Sequence, residues 1–301
     1  NAEMRSGQPY PAAMLLGVAN LWSILLASVL MASWTQEDLR SITQAVFWSG
    51  VGLVCYGLLQ LCNLDQFFKS TDLSWKKDSL TGMIGNPTHF GTQLALWLPF
   101  AMIQPRRQWL WSIPAFVIIV LTKSSTAVAL ALLVLVAWCW KRSWKYGIGA
   151  LILSSLGGLS FILTHQKWLN MHGRWETWMA WWEAIVAHPI TGWGLGSLKQ
   201  FAQSLQASHP LFSWKNLHNE YLQLWVETGI IGVVLMGWMF WQLWKRRTQT
   251  ISTPLRWACG WLLTAYCLLA LLSFPFHLWQ IGGLGLMAGA GWLVLTEKPF
   301  V

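Results

Sequence analysis

Charge is scarce in this 301-residue sequence: Asp, Glu, Lys and Arg make up 10% of it, against about 25% in soluble domains. So few charges cannot cover a globular surface, which excludes a soluble enzyme and a disordered chain. Cysteine is scarce too. Cys55, Cys62, Cys139, Cys259 and Cys267 lie in apolar stretches with no Cys-x-x-Cys pair, so a disulfide-stapled module is excluded and the thiols read as small hydrophobes in helix contacts. Carboxylates do not pair as Asp-x-Asp: Asp38, Asp65, Asp72 and Asp78 are scattered. Nor do His89, His165, His172, His188, His209, His218 and His277 include an i, i+4 pair. No metal site and no cofactor are expected. Gly192, Gly194 and Gly196 depart from G-x-G-x-x-G and no strand precedes them, which excludes a nucleotide cradle. No stretch alternates at a period of two, so a membrane barrel is excluded as well.

What is present is apolar and aromatic. Hydrophobic residues make up 55% of the chain and 25 residues are Trp, and the mean hydropathy is +0.44. Indole favours the membrane–water boundary. The expected fold is all-α, a polytopic transmembrane helical bundle forming a single domain over residues 1–301. A span needs about 20 apolar residues, with a usable range of about 17–25. Nine segments approach this: Ala12–Ser33, Ala45–Cys62, Phe90–Ile103, Trp109–Leu121, Thr126–Trp140, Tyr146–Thr164, Gly229–Trp244, Trp257–Ser273 and Leu278–Leu295. The short ones draw Ser, Thr or Gly from their flanks.

The net charge of +9 fits anionic headgroups and requires no nucleic acid. Arg106 and Arg107 sit in one short connection, Lys141, Arg142 and Lys145 in another, and Lys245, Arg246, Arg247 and Arg256 in a third, none of them with an acid. The positive-inside rule makes these cytoplasmic. Lys123, the turn at Phe276 and the long connections 63–89 and 165–218 then face outward. By parity Asn1 lies outside, which implies an odd number of helices ahead of it.

The connection 165–218 is the informative one, because loops of that length in compact proteins are usually functional or disordered. Arg174–Ala187 reads RWETWMAWWEAIVA, with Trp175, Trp178, Met179, Trp182 and Ile185 at helical spacing. This is an amphipathic helix suited to the outer headgroup layer. His188-Pro189 stops it, and the glycines of TGWGLGSL supply a turn. Arg174 has two readings: an interfacial cation, or a bidentate ligand for phosphate oxygens. The sequence HNEYLQ from His218 crowds His218, Asn219, Glu220, Tyr221 and Gln223 into one turn, with Glu227 further along. Either this is a capped helix start or it is a functional cluster, since polar groups at membrane depth are costly and histidine can serve as a general base.

Taken together, these segments resemble the O-antigen ligase family, which also holds Wzy-type O-antigen polymerases and protein O-oligosaccharyltransferases. The resemblance begins at Gly85-Asn86-Pro87-Thr88-His89-Phe90 and continues through Gly173-Arg174 to Trp178. His188-Pro189-Ile190 and Gly192-Trp193-Gly194 follow, and it closes on His218 to Gln223, Glu227 and Gly229-Ile230-Ile231-Gly232. It covers residues 85–245. It implies a GT-C-like, metal-independent, inverting glycosyltransferase, multi-pass in the bacterial inner membrane with its site facing the periplasm. The donor it implies is a glycan on undecaprenyl pyrophosphate, and the acceptor hydroxyl belongs to lipid A-core, another glycan or a protein. By position His218 matches the catalytic base and Arg174 the pyrophosphate-binding arginine. Asn219, Tyr221, Gln223 and Glu227 stand as supporting residues. Where many members have an arginine after a serine, this chain has Thr122-Lys123-Ser124, and Lys123 would serve as a point charge. A polytopic transporter is the reading from another class, but no internal repeat supports it.

Overall fold

The computed structural model describes residues 35–65, 80–105, 107–164, 174–197, 218–245 and 254–271. These residues form eight α-helices: α1 (Gln36–Leu61), α2 (Pro87–Met102), α3 (Ser112–Leu121), α4 (Ser125–Arg142), α5 (Trp144–Thr164), α6 (Arg174–Ala187), α7 (Glu220–Lys245) and α8 (Pro254–Ala270). No strand occurs among them. Ala12–Ser33 and Leu278–Leu295 lie outside the described residues, as does the turn at Phe276; each other expected span falls on a helix. Glu37–Leu61, Ser125–Arg142 and Glu220–Met239 are long and apolar enough to cross a membrane.

Local chemistry sets the helix starts. Thr35 and Asp38 form a reciprocal capping box on α1. Asn86 caps α2 through hydrogen bonds from the Thr88 and His89 N–H groups, with Pro87 at the first helical position. Ser124 caps α4.

Helices α1 to α4 and α8 share one apolar core. Its centre is Trp97 on α2, 2% exposed. The indole N–H donates to the Val46 carbonyl of α1 at 3.0 Å, and the ring stacks on Phe47 at 5.9 Å between centroids. Gly50 lies opposite, where a Cβ would collide with the indole. Small residues of this kind let helices approach closely in lipid, where the hydrophobic effect does not drive helix against helix.

The two ends of the bundle differ. One end carries four cation–aromatic contacts: Arg142 over Trp138 at 4.8 Å, Lys141 over Trp257 at 5.2 Å, Lys245 over Trp241 at 5.3 Å and Lys145 over Trp144 at 5.9 Å. All four cations belong to the connections the charge pattern assigned to the inside. The pairing joins the basic residues to an aromatic belt. The opposite end holds the α3–α4 turn at Lys123, the Asn86 cap and His218.

Gly50→Leu should overpack the α1–α2 contact by about 1–3 kcal/mol. Thermal unfolding in detergent would show a lower midpoint, whereas an unchanged midpoint would mean that Trp97 does not need the space.

Candidate active site

Helix α7 starts at a left-handed residue: His218 has φ 51°. Among the described residues only Asn63, Lys123 and His218 hold positive φ without being glycine. Asn and His are among the residues that adopt this conformation most often, whereas for Lys it is less common. Asn219 then caps the helix, its side-chain oxygen accepting from the Tyr221 and Leu222 N–H groups at 3.1 Å each. Asn219, Glu220 and Gln223 are buried, and Glu220 occupies the positive end of the helix dipole. The Tyr221 hydroxyl donates to the Cys267 carbonyl at 3.0 Å, tying the start of α7 to the end of α8. Tyr266, the residue before Cys267 on α8, is buried.

Further along, α7 breaks. Gly229 adopts φ 65° and ψ −167°, a conformation essentially confined to glycine. The Ile190 carbonyl oxygen stands where a Cβ would be. A break leaves backbone groups without helical partners, and burying them unpaired is costly. The turn after α6 supplies partners. Ile230 N–H donates to the Pro189 carbonyl at 2.9 Å, while the Trp193 and Gly194 N–H groups donate to the Val226 and Glu227 carbonyls at 2.8 and 3.0 Å. Gly192 has φ 66°, and a Cβ there would sit 2.6 Å from the Glu227 carbonyl carbon. Trp193 reaches back as well: its indole N–H donates to the Ala184 carbonyl of α6 at 2.8 Å, and its ring meets His188 at 4.0 Å. Below this joint lie Trp181, Ala184, Ile185 and Val226.

Two of the sequence blocks are thereby joined, the one running from Arg174 to Gly194 and the one running from His218 to Gly232. Residue by residue the outcome varies. Arg174 is the first residue of α6, and its side chain lies outside what is described, as do Gly173 and residues 165–172 and 198–217. Glu227 enters the joint through its carbonyl. Lys123 is exposed at the α3–α4 turn. That turn packs on the Gly85–Gly91 block: a Cβ on Gly91 would lie 2.6 Å from the Thr122 hydroxyl and 2.9 Å from the Ala127 methyl. Nearby, ahead of the apolar run of α2, burial pushes the His89 imidazole below its ordinary range.

The apolar stripe expected on α6 divides in two. Trp178 and Ile185 pack towards α7, joined by Trp181, which is 1% exposed. Met179 and Val186 stay exposed, while Trp182, half exposed, meets the Trp225 ring of α7 edge-on at 5.9 Å. The joint at Gly229 rotates α6 so that one face meets protein and leaves a second apolar face open. Tyr266 and Trp181 were missed in the sequence. A lone phenol in the apolar run of α8 was the available signal, because a hydroxyl at that depth requires a partner.

The order of the blocks now coincides with their meeting in space. Residues 110–237 match the O-antigen ligase family. The match includes Lys123, Arg174, His218 and Glu227, and it begins after the Gly85–Phe90 block. No curated protein matches the chain. The O-antigen ligase match and the three spanning helices support a helical membrane protein of ligase or polymerase type, with glycosyltransferase-like activity on glycan or lipid-linked substrates.

Gly229→Ala should cost about 1–3 kcal/mol, from the backbone conformation and the collision with Ile190. Trp193→Phe, which removes the indole N–H together with part of the packed ring, should cost about 1–3 kcal/mol. Both are read from thermal unfolding in detergent; a Gly229→Ala protein as stable as wild type would show that α7 does not require the break.

Proposed function

We propose that the chain is a GT-C-like membrane glycosyltransferase of about nine spans, in the bacterial inner membrane, acting at the periplasmic face. It moves a glycan from undecaprenyl pyrophosphate to the hydroxyl of lipid A-core. The observation that carries this is the backbone joint at Gly229, which holds the helix beginning at Arg174 against the helix beginning at His218 inside the O-antigen ligase match.

In the proposed reaction the His218 imidazole takes the acceptor hydroxyl proton as that oxygen attacks the anomeric carbon. The bond from that carbon to the pyrophosphate oxygen breaks, and its electron pair leaves with undecaprenyl pyrophosphate. Attack opposite the leaving group inverts the anomeric centre. Arg174 holds the pyrophosphate in a bidentate fork, and Lys123 adds a point charge. The donor is already activated, so cations suffice to stabilise the departing group and no metal is required. Asn219 and Tyr221 support the base by capping its helix and anchoring it to α8. Gln223 and Glu227 complete the polar wall.

The test is transfer in proteoliposomes supplied with an undecaprenyl-pyrophosphate oligosaccharide and lipid A-core. Wild type should glycosylate the core with or without EDTA. His218→Ala should lose transfer by about 100-fold or more while inserting normally, and full turnover by this variant would remove His218 as the base. Arg174→Lys should impair donor use, because charge survives while the fork is lost; wild-type kinetics would return Arg174 to an interfacial role. Lengthened lipid-linked chains in place of glycosylated core would make the enzyme a polymerase.

A further inference from the structure

A crevice of about 240 Å³ opens between α2, α3 and α4. Its α2 and α3 lining includes Met102 and Ser112, towards the end that carries the basic side chains, and its α4 lining, Ala131 and Leu135, is at mid-helix. Leu98, Met102, Ile113, Val117 and Leu135 line it, with Ser112 at one edge. The Ser112 hydroxyl already donates to the Trp109 carbonyl at 2.7 Å, so the lining is apolar in effect. The volume falls below the range of about 300–1,000 Å³ usual for drug-sized ligands. A single flexible hydrocarbon chain fits it better than a compact molecule or a helix.

What lies at its mouth identifies the rest of the occupant. On α4, Ala131, Leu135, Trp138 and Arg142 follow one another at helical spacing and share a face. The wall of the crevice therefore continues directly to an arginine. Arg142 is held over the Trp138 ring at 4.8 Å, with Lys141 beside it over Trp257, and Arg107 precedes the turn that leads into α3, whose first residues line the crevice. The sequence contains no carboxylate between Asp78 and Glu176, so helices α2 to α5 bring no counter-charge of their own. Asp38, at the same end on α1, is engaged by the Thr35 backbone and hydroxyl.

We propose that this crevice binds one anionic phospholipid, an acyl chain lying between α2, α3 and α4 and the phosphate meeting Arg142. A basic pocket between helices at a charged bilayer surface is the setting in which such headgroups are recognised. The site is separate from His218 and does not depend on glycosyl transfer.

Native mass spectrometry of the detergent-solubilised protein tests it, with phosphatidylglycerol and phosphatidylcholine of identical chains as probes. Wild type should retain phosphatidylglycerol in preference. Arg142→Gln should weaken that retention by about fivefold, the loss expected for one arginine at such a surface, and Arg142→Lys should restore most of it. Ile113→Trp should fill the crevice and abolish retention of both lipids. Should that variant fail to fold, the two Arg142 variants decide alone. Equal retention of both headgroups, unchanged in Arg142→Gln, would overturn the proposal. So would wild type retaining a polyprenyl phosphate in preference to phosphatidylglycerol, with that retention lost in Ile113→Trp, which would give the crevice to an isoprenoid chain.

Discussion

The arrangement of the candidate site depends on one rule of membrane folding: backbone polar groups in an apolar environment must be paired. Helix α7 breaks at Gly229 and can do so only because another segment supplies the partners. Pro189, Trp193 and Gly194 provide them. A three-point backbone contact of this kind is directional in a way that apolar packing is not. It therefore sets the position of α6 relative to α7, and with it where a chain entering at Arg174 stands relative to one entering at His218. The glycines of the turn and of the helix are two halves of one contact, since each leaves room for the other's backbone.

The rest of the bundle supports that contact from the other side. Tyr221 ties the start of α7 to α8, and α8 is buried in the core built around Trp97 and Phe47. Polar groups near His218 are expensive to bury unless each has a partner. Asn219 meets part of that cost by capping two backbone N–H groups. The left-handed backbone at Lys123, a residue type that seldom adopts it, falls at a position where the resemblance places function.

Much of the fold was legible in the residues. The apolar runs locate α1 to α5, α7 and α8, and the charge of the short connections agrees with the cation–aromatic contacts at one end. The cap at Asn219 could be read from its type and place. The break in α7 was less visible. A glycine opening an apolar run reads as a helix boundary, and the span was accordingly begun at Gly229, whereas helical backbone extends on both sides of it. The face of α6 was half legible. Spacing identifies an amphipathic helix, but on a helix with apolar residues on two sides it cannot say which side meets protein. Trp181, off the stripe that the spacing marks, is the α6 residue buried most deeply.

The sequence by itself determined the solvent this protein occupies, the helical class, the basic end and the resemblance to a family, because these follow from composition, period and the order of short blocks. Tertiary structure alone decided that the glycine turn after α6 completes the broken helix α7, that Gly91 admits the Thr122 turn, and that Tyr221 ties the start of α7 to Cys267 of α8. Each of these is a contact between residues distant in the chain. Their pairing follows from shape and unsatisfied backbone groups, quantities that exist only once the helices have met.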